Sequence, residues 1–284
     1  MDTVSRAKFI APPLLMMLFL SVPSFAQMDF SGVWTPNGQQ DASSEPYVGN
    51  WFGIPMNKAA MRRAEIWEAS IQTLPEWQCR PHSGAYIKRG PSQLRITKEV
   101  DPVSRRVTAY HAEWLRSVDH PIYLDGRPHP PEWAEHTWSG FSTAEWVGTA
   151  LKVTTTHLKE DYYRRNGVPQ SDKATLTEYW IRRGDFLTWM VIAYDPVYLT
   201  EPLVRSTEYR LTNNEVAPYP CTVVEEVDRP RGVVPSIMPG ENTGLTEFLH
   251  KGPLRLPDDT IRGGAETMYP EFRLKLKPSA SNEQ

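Results

Sequence analysis

The chain has 284 residues, with 31 Lys and Arg against 34 Asp and Glu, for a formal charge of −3. That balance argues against a nucleic-acid binder, which carries a basic excess or stripe, and 40% hydrophobic with 23% charged residues excludes a disordered chain or an integral membrane bundle. The 26 prolines exclude long uninterrupted helices, and 10 Trp with 12 Tyr supply a core or line a pocket for flat, apolar ligands.

The first 26 residues read as a secretory signal peptide. Arg6 and Lys8 precede an apolar run from Ile10 to Val22, and Ser24-Phe25-Ala26 offers small residues for cleavage after Ala26. The run is shorter than the roughly 20 residues of a spanning helix. No Cys follows it, which argues against a lipoprotein. The expectation is an exported product, periplasmic or secreted, without stable membrane insertion. Residues 27–276 then form one domain, and 277–284 a disordered tail.

Asp29 to Trp34 predicts a short opening strand. Asn57 can cap a helix in which Ala60, Met61, Ala64, Trp67, Ile71 and Leu74 share a face, with Pro75 as the stop. From Gln93 the period becomes two. Strands are predicted at 94–98, 106–114, 121–124, 137–146, 150–156, 174–182, 186–194 and 203–211, most joined as hairpins. Strand never alternates with helix, so a parallel α/β sheet is excluded. The fold class is mainly β: an antiparallel barrel with one N-terminal helix and a Pro/Gly-rich C-terminal wrap after Pro218, with a two-sheet sandwich as the alternative.

Export makes Cys79 and Cys221 informative. An even pair in an oxidising compartment can form one long-range disulfide, and two buried free thiols are the alternative.

Three stretches carry chemistry-bearing side chains. The first runs from Tyr123 to Trp138 and holds Asp125, Arg127, His129, Glu132, Glu135 and His136 in a Pro-rich loop. His136 or His129 can act as a base near neutral pH, and Asp125 with Arg127 can equally be turn architecture. The spacing of His129, Glu132 and His136 fits no zinc-protease pattern, so no metal is expected. The second, Tyr162 to Asp172, places Tyr163 beside Arg164 and Arg165, which can clamp an acidic group or form surface ion pairs. The third, Asp195 to Pro202, reads as a turn. Glu178 and Arg182 share one face of a strand. No nucleophile elbow, phosphate loop, dinucleotide fingerprint or thiol-redox pair is present, so no cofactor is expected.

Gly32-Val33-Trp34 resembles the Gly-x-Trp opening of lipocalins, where the Trp plugs the closed end of an eight-stranded barrel. Ile122 to Pro130, Thr137 to Thr156, Pro169 to Arg182 and Asp195 to Pro202 resemble a family of uncharacterised secreted bacterial proteins. Its members combine a Tyr/Met-x-Asp-Gly-Arg-x-His-Pro loop with a Gly-x-Ser-x-Gly-x-Trp-Glu-Gly-Asp-Thr-Leu-Val-Val hairpin. Here Phe141 stands where the family often has His, Ala144 replaces Gly, Val147 replaces Glu, Thr149 replaces Asp and Thr154 replaces an acidic residue. The resemblance implies no assigned activity.

The leading expectation is an exported barrel binding a small apolar or aromatic ligand in its interior. Trp138, Trp146, Tyr163 and Trp189 are the stacking candidates, and Arg127, Arg164 and Arg165 the groups that would orient an acidic substituent. One alternative is a cofactor-free lyase, isomerase or hydrolase acting on a hydrophobic metabolite, with His136 as base and Asp125 orienting it. Another is an envelope interaction protein using its C-terminal wrap.

Overall fold

Alternation with a period of two decides which way each strand faces. In the computed structural model, Leu176, Glu178 and Trp180 point inward from one strand, and Leu187, Trp189, Val191 and Ala193 from the next. The structure describes residues 28–37, 49–51, 53–87, 92–114, 119–216, 221–224, 227–230, 237–238, 240–242 and 264–274. The expected leader (1–26), the expected tail (277–284) and much of the expected wrap lie outside the described residues. No helix among the described residues is long and apolar enough to cross a membrane.

Eleven strands are described. They are β1 (Gly32–Pro36), β2 (Leu94–Val100), β3 (Val107–Trp114), β4 (Pro121–Tyr123), β5 (Phe141–Val147), β6 (Ala150–Thr156), β7 (Asp161–Arg164), β8 (Val168–Gln170), β9 (Thr175–Arg183), β10 (Phe186–Tyr194) and β11 (Leu203–Thr212). Nine close into a barrel in the order β1-β11-β10-β9-β6-β5-β4-β3-β2, while β7 and β8 form a separate two-stranded ribbon. β1 closes the ring, pairing Trp34 with Leu211 on one side and with Leu94 on the other.

The expected all-antiparallel barrel is corrected at one seam: β4 and β5 run parallel, with Ile122 opposite Ser142. The reason is counting. A closed ring of nine strands cannot alternate direction at every neighbour, so a parallel pair is unavoidable. A parallel pair also needs a connection of about a dozen residues or more to carry the chain back. Residues 124–140 are that connection, which gives the Asp125–His136 loop an architectural role. The predicted strand over 137–146 accordingly starts only at Phe141, and Thr137 makes an isolated bridge to Leu158.

The single long helix is corrected too. Asn57 does cap a helix, its Oδ1 accepting from Ala60 N at 2.9 Å, but α1 covers only Lys58–Glu65. A 3-10 turn (Ala69–Thr73), α2 (Pro75–Gln78) and α3 (Gly84–Ile87) follow. Pro75 opens α2 instead of stopping a helix, because the first helical position lacks an N–H partner in any case. α1 ends early because the Asn242 side chain takes the carbonyls of Glu65 at 3.0 Å and Trp67 at 2.9 Å. Near the C-terminus lie a second 3-10 turn (Ala265–Met268) and α4 (Pro270–Arg273).

The barrel interior is filled. Phe30, Trp34, Tyr110, Trp180, Trp189 and Tyr209 are all at most 1% exposed. The Trp180 and Trp189 rings lie 4.5 Å apart, and Phe30 meets Tyr110 at 5.8 Å and Trp180 at 5.6 Å. Trp34 donates its indole N–H to the Phe30 carbonyl at 2.9 Å, and the Arg182 guanidinium lies 5.2 Å above its ring. Polar groups inside are joined across the strands. His120 Nε2 is 2.7 Å from Ser142 Oγ, which is 2.7 Å from Thr155 Oγ1. The inward-facing Glu178 accepts from Trp189 Nε1 at 2.6 Å and Trp180 Nε1 at 3.2 Å. A buried carboxylate needs such donors. Arg182 turns to Gly184 O and Asp29 O instead.

Candidate functional site

Two adjoining cavities of about 400 Å³ each lie outside the barrel, and no residue of the nine barrel strands lines either. They share Trp67, Trp77, Arg80, Asp161 and Tyr162, so they are two lobes of one groove. Gln72, His82, Tyr86, Arg165 and both half-cystines are among the other residues of the first lobe, and Arg63, Glu68 and Glu160 among those of the second.

Three elements build it. The helical stretch supplies Trp67 and Trp77, the ribbon β7–β8 supplies Tyr162, and the Cys79–Cys221 disulfide, with Cα atoms 5.4 Å apart, closes one side. Trp67 lies 4.5 Å from the Tyr162 ring and 6.1 Å from Trp77. Gly167 lets the ribbon approach. Its φ is +97°, and a Cβ there would lie 2.6 Å from Trp67 Cβ. Most of the stretch Tyr162–Asp172 is thus a paired ribbon, up to Gln170.

Arg80 sits between two indoles, its guanidinium carbon 4.1 Å from the Trp77 centroid and 4.2 Å from Trp138. It donates to Glu160 O at 2.9 Å and lies 3.4 Å from Asp161 Oδ1. Asp161 also accepts from Ser83 N at 2.8 Å. Burial pushes the Asp161 carboxyl up to about 6, outweighing the opposing pull of Arg80 and Ser83. Burial likewise raises the Tyr162 phenol to about 12. Trp67 Nε1 and Arg80 Nε, both in the wall, are buried donors without a partner among the described residues. An unpaired buried donor costs about 1–3 kcal/mol.

Of the residues singled out from the sequence, Arg165 lines the groove and hydrogen-bonds Gln72. Trp138 stands behind Arg80, with Lys159 Nζ 5.2 Å from its ring. Tyr163 is buried beneath the ribbon, its hydroxyl donating to Asp195 Oδ2 at 3.4 Å. Burial and Asp195 hold its phenol well above the usual range. Arg164 is half-buried on β7. Trp189 is inside the barrel, and Trp146 stacks on Phe30 at 5.9 Å.

The crossover loop forms a different cluster. Asp125 binds Arg127, whose guanidinium lies 3.6 Å from the Tyr123 centroid. His136 Nδ1 is 2.9 Å from Leu158 O, so Asp125 and His136 each have another partner. His129 bridges Thr143 and Thr156 at 2.8 Å each, which fastens the loop to β5 and β6. No group of three His, Cys, Asp or Glu suited to a metal occurs among the described residues.

Sequence reasoning missed Trp67, Trp77, Arg80 and Asp161, while Tyr162 opens the second stretch singled out above. Trp67 was assigned to a helix face. The available signal was Trp77-Gln78-Cys79-Arg80, an aromatic and a cation flanking a cysteine. No protein family, curated protein or solved structure matches the chain.

Proposed function

We propose that this is an exported β-barrel protein that binds a small apolar or aromatic ligand, and that the ligand occupies the groove beside the barrel. The observation that carries this reading is the two-lobed cavity walled by Trp67, Trp77 and Tyr162, set against a barrel interior already filled by aromatic side chains. The groove pairs these aromatic walls with converging charged groups, Arg80, Asp161 and Arg165 among them, of the kind that fix a ligand's orientation in a small-molecule site. Arg165 and Arg80, both on the groove wall, would address an acidic substituent. The intramolecular disulfide fits an exporting route, and the leader and the likeness to secreted bacterial proteins support the same compartment.

The test uses an aromatic anion, anilinonaphthalene sulfonate, titrated against the purified protein. Trp77→Ala is expected to weaken its affinity by about tenfold, roughly the 1.4 kcal/mol of a lost ring contact. Arg127→Ala, on the crossover loop, is expected to leave it unchanged. Equal affinities for wild type and Trp77→Ala would contradict the reading.

A cofactor-free enzyme is a second reading, favoured by one observation: a buried carboxyl raised to about 6 in the groove wall. Asp161 would then be the proton-transfer group in place of His136. Asp161→Asn would remove turnover of a hydrophobic metabolite while sparing its binding, and full turnover in that variant would exclude the assignment.

A further inference from the structure

The Cys79–Cys221 bridge differs from a buried staple in where it sits. Both half-cystines line the first lobe of the groove, and Cys221 is exposed. A reachable disulfide sulfur is open to attack by a thiolate. Cys79 is also the residue that ends α2, between Trp77 and Arg80.

The C-terminal wrap that bears Cys221 is tied to the same stretch twice more. Arg229 pairs with Glu76, and Asn242 caps the carbonyls of Glu65 and Trp67. All three ties fall within two residues of Trp67 or Trp77. The described part of this segment therefore holds the two groove tryptophans by one covalent and two non-covalent ties.

We propose that the thiol–disulfide state of Cys79 and Cys221 controls the order of the groove wall, so that reduction loosens the Trp67–Arg80 stretch and releases the ligand. The reductant is a dithiol. Its first thiolate attacks Sγ of Cys221, the more exposed residue of the pair, and Cys79 leaves as a thiolate. Arg80 and Arg165 on the same cavity wall favour that anion. The dithiol's second thiol then displaces Cys221, so two electrons pass to the protein cysteines and the dithiol becomes a disulfide. Among the described residues the segment's remaining ties are one ion pair and one side-chain cap, neither of them covalent. Ligand release presupposes the groove as the binding site proposed above. The loosening of the wall does not.

Hydrogen exchange is measured on the whole protein at room temperature, oxidised and after dithiothreitol, with a Cys79→Ser/Cys221→Ser double variant alongside. Exchange over residues 66–87 is expected to rise on reduction and in the double variant by about tenfold or more beyond any rise in β9 and β10. Anilinonaphthalene sulfonate is expected to bind the reduced protein about tenfold more weakly. Unchanged exchange over 66–87 overturns the switch. So does a rise of equal size in β9 and β10, which would make the bridge a stabiliser of the fold as a whole and no switch of the groove. If the oxidised protein fails to bind the probe, the binding reading falls, and the exchange data still decide the switch.

Discussion

Asp161 is held out of water by the ribbon and the helical stretch, with Ser83 N at 2.8 Å and Arg80 at 3.4 Å as its partners. Its carboxyl sits at about 6 in the folded chain against an ordinary 3.8. Between those values the folded state binds the extra proton. The stability linked to Asp161 is therefore fully present below pH 3.8 and is lost as pH rises through about 6. The two values correspond to about 3 kcal/mol. Asp161→Asn keeps an acceptor for Ser83 and carries no charge. Denaturant unfolding from pH 4 to pH 8 is expected to show a flatter profile for the variant and higher stability than wild type at pH 7.5. Parallel profiles would contradict the assignment.

At the scale of elements, the ribbon β7–β8 shows how a strand sorts neighbouring residues. Tyr162 and Tyr163 are adjacent, so they face opposite sides: Tyr162 lines the groove and Tyr163 goes under it. Gly167 sets how closely the ribbon meets Trp67. Gly167→Ala is expected to cost about 2 kcal/mol or more, through the positive φ and the 2.6 Å approach. It should also reduce probe affinity by displacing Trp67. A variant as stable as wild type, by urea unfolding, would show that the ribbon gives way freely. The barrel strands were legible because alternation is a local signal: the predicted positions of β2, β3, β6, β9, β10 and β11 agree with the structure to within a residue or two. The parallel seam was not legible, since it follows from closing a ring of nine. The early end of α1 was hidden because Asn242, far along the chain, supplies the cap. The groove was hidden for a similar reason. Its residues come from 63–86, 160–165 and 221, and no single stretch contains the pattern.

On the scale of the whole molecule, the described residues divide into a solid barrel and a girdle of helical turns, the β7–β8 ribbon and short C-terminal pieces. The disulfide spans 142 residues, reaching from before β2 to beyond β11, so it encloses ten of the eleven strands. Chain-entropy reasoning gives such a closure about 5 kcal/mol. Reduction is expected to lower Tm by about 10–20 °C, and an unchanged melting curve would show that the bridge constrains little. The central claim is that the ligand binds in the girdle, beside the barrel. The most direct test follows the indole N–H signals of nitrogen-labelled protein, each assigned by a Trp→Phe variant, during titration with anilinonaphthalene sulfonate. Saturable shifts at Trp67 and Trp77, with Trp180 and Trp189 unmoved, are expected. Shifts at Trp180 and Trp189 with Trp67 and Trp77 unmoved would place the ligand inside the barrel and contradict the claim.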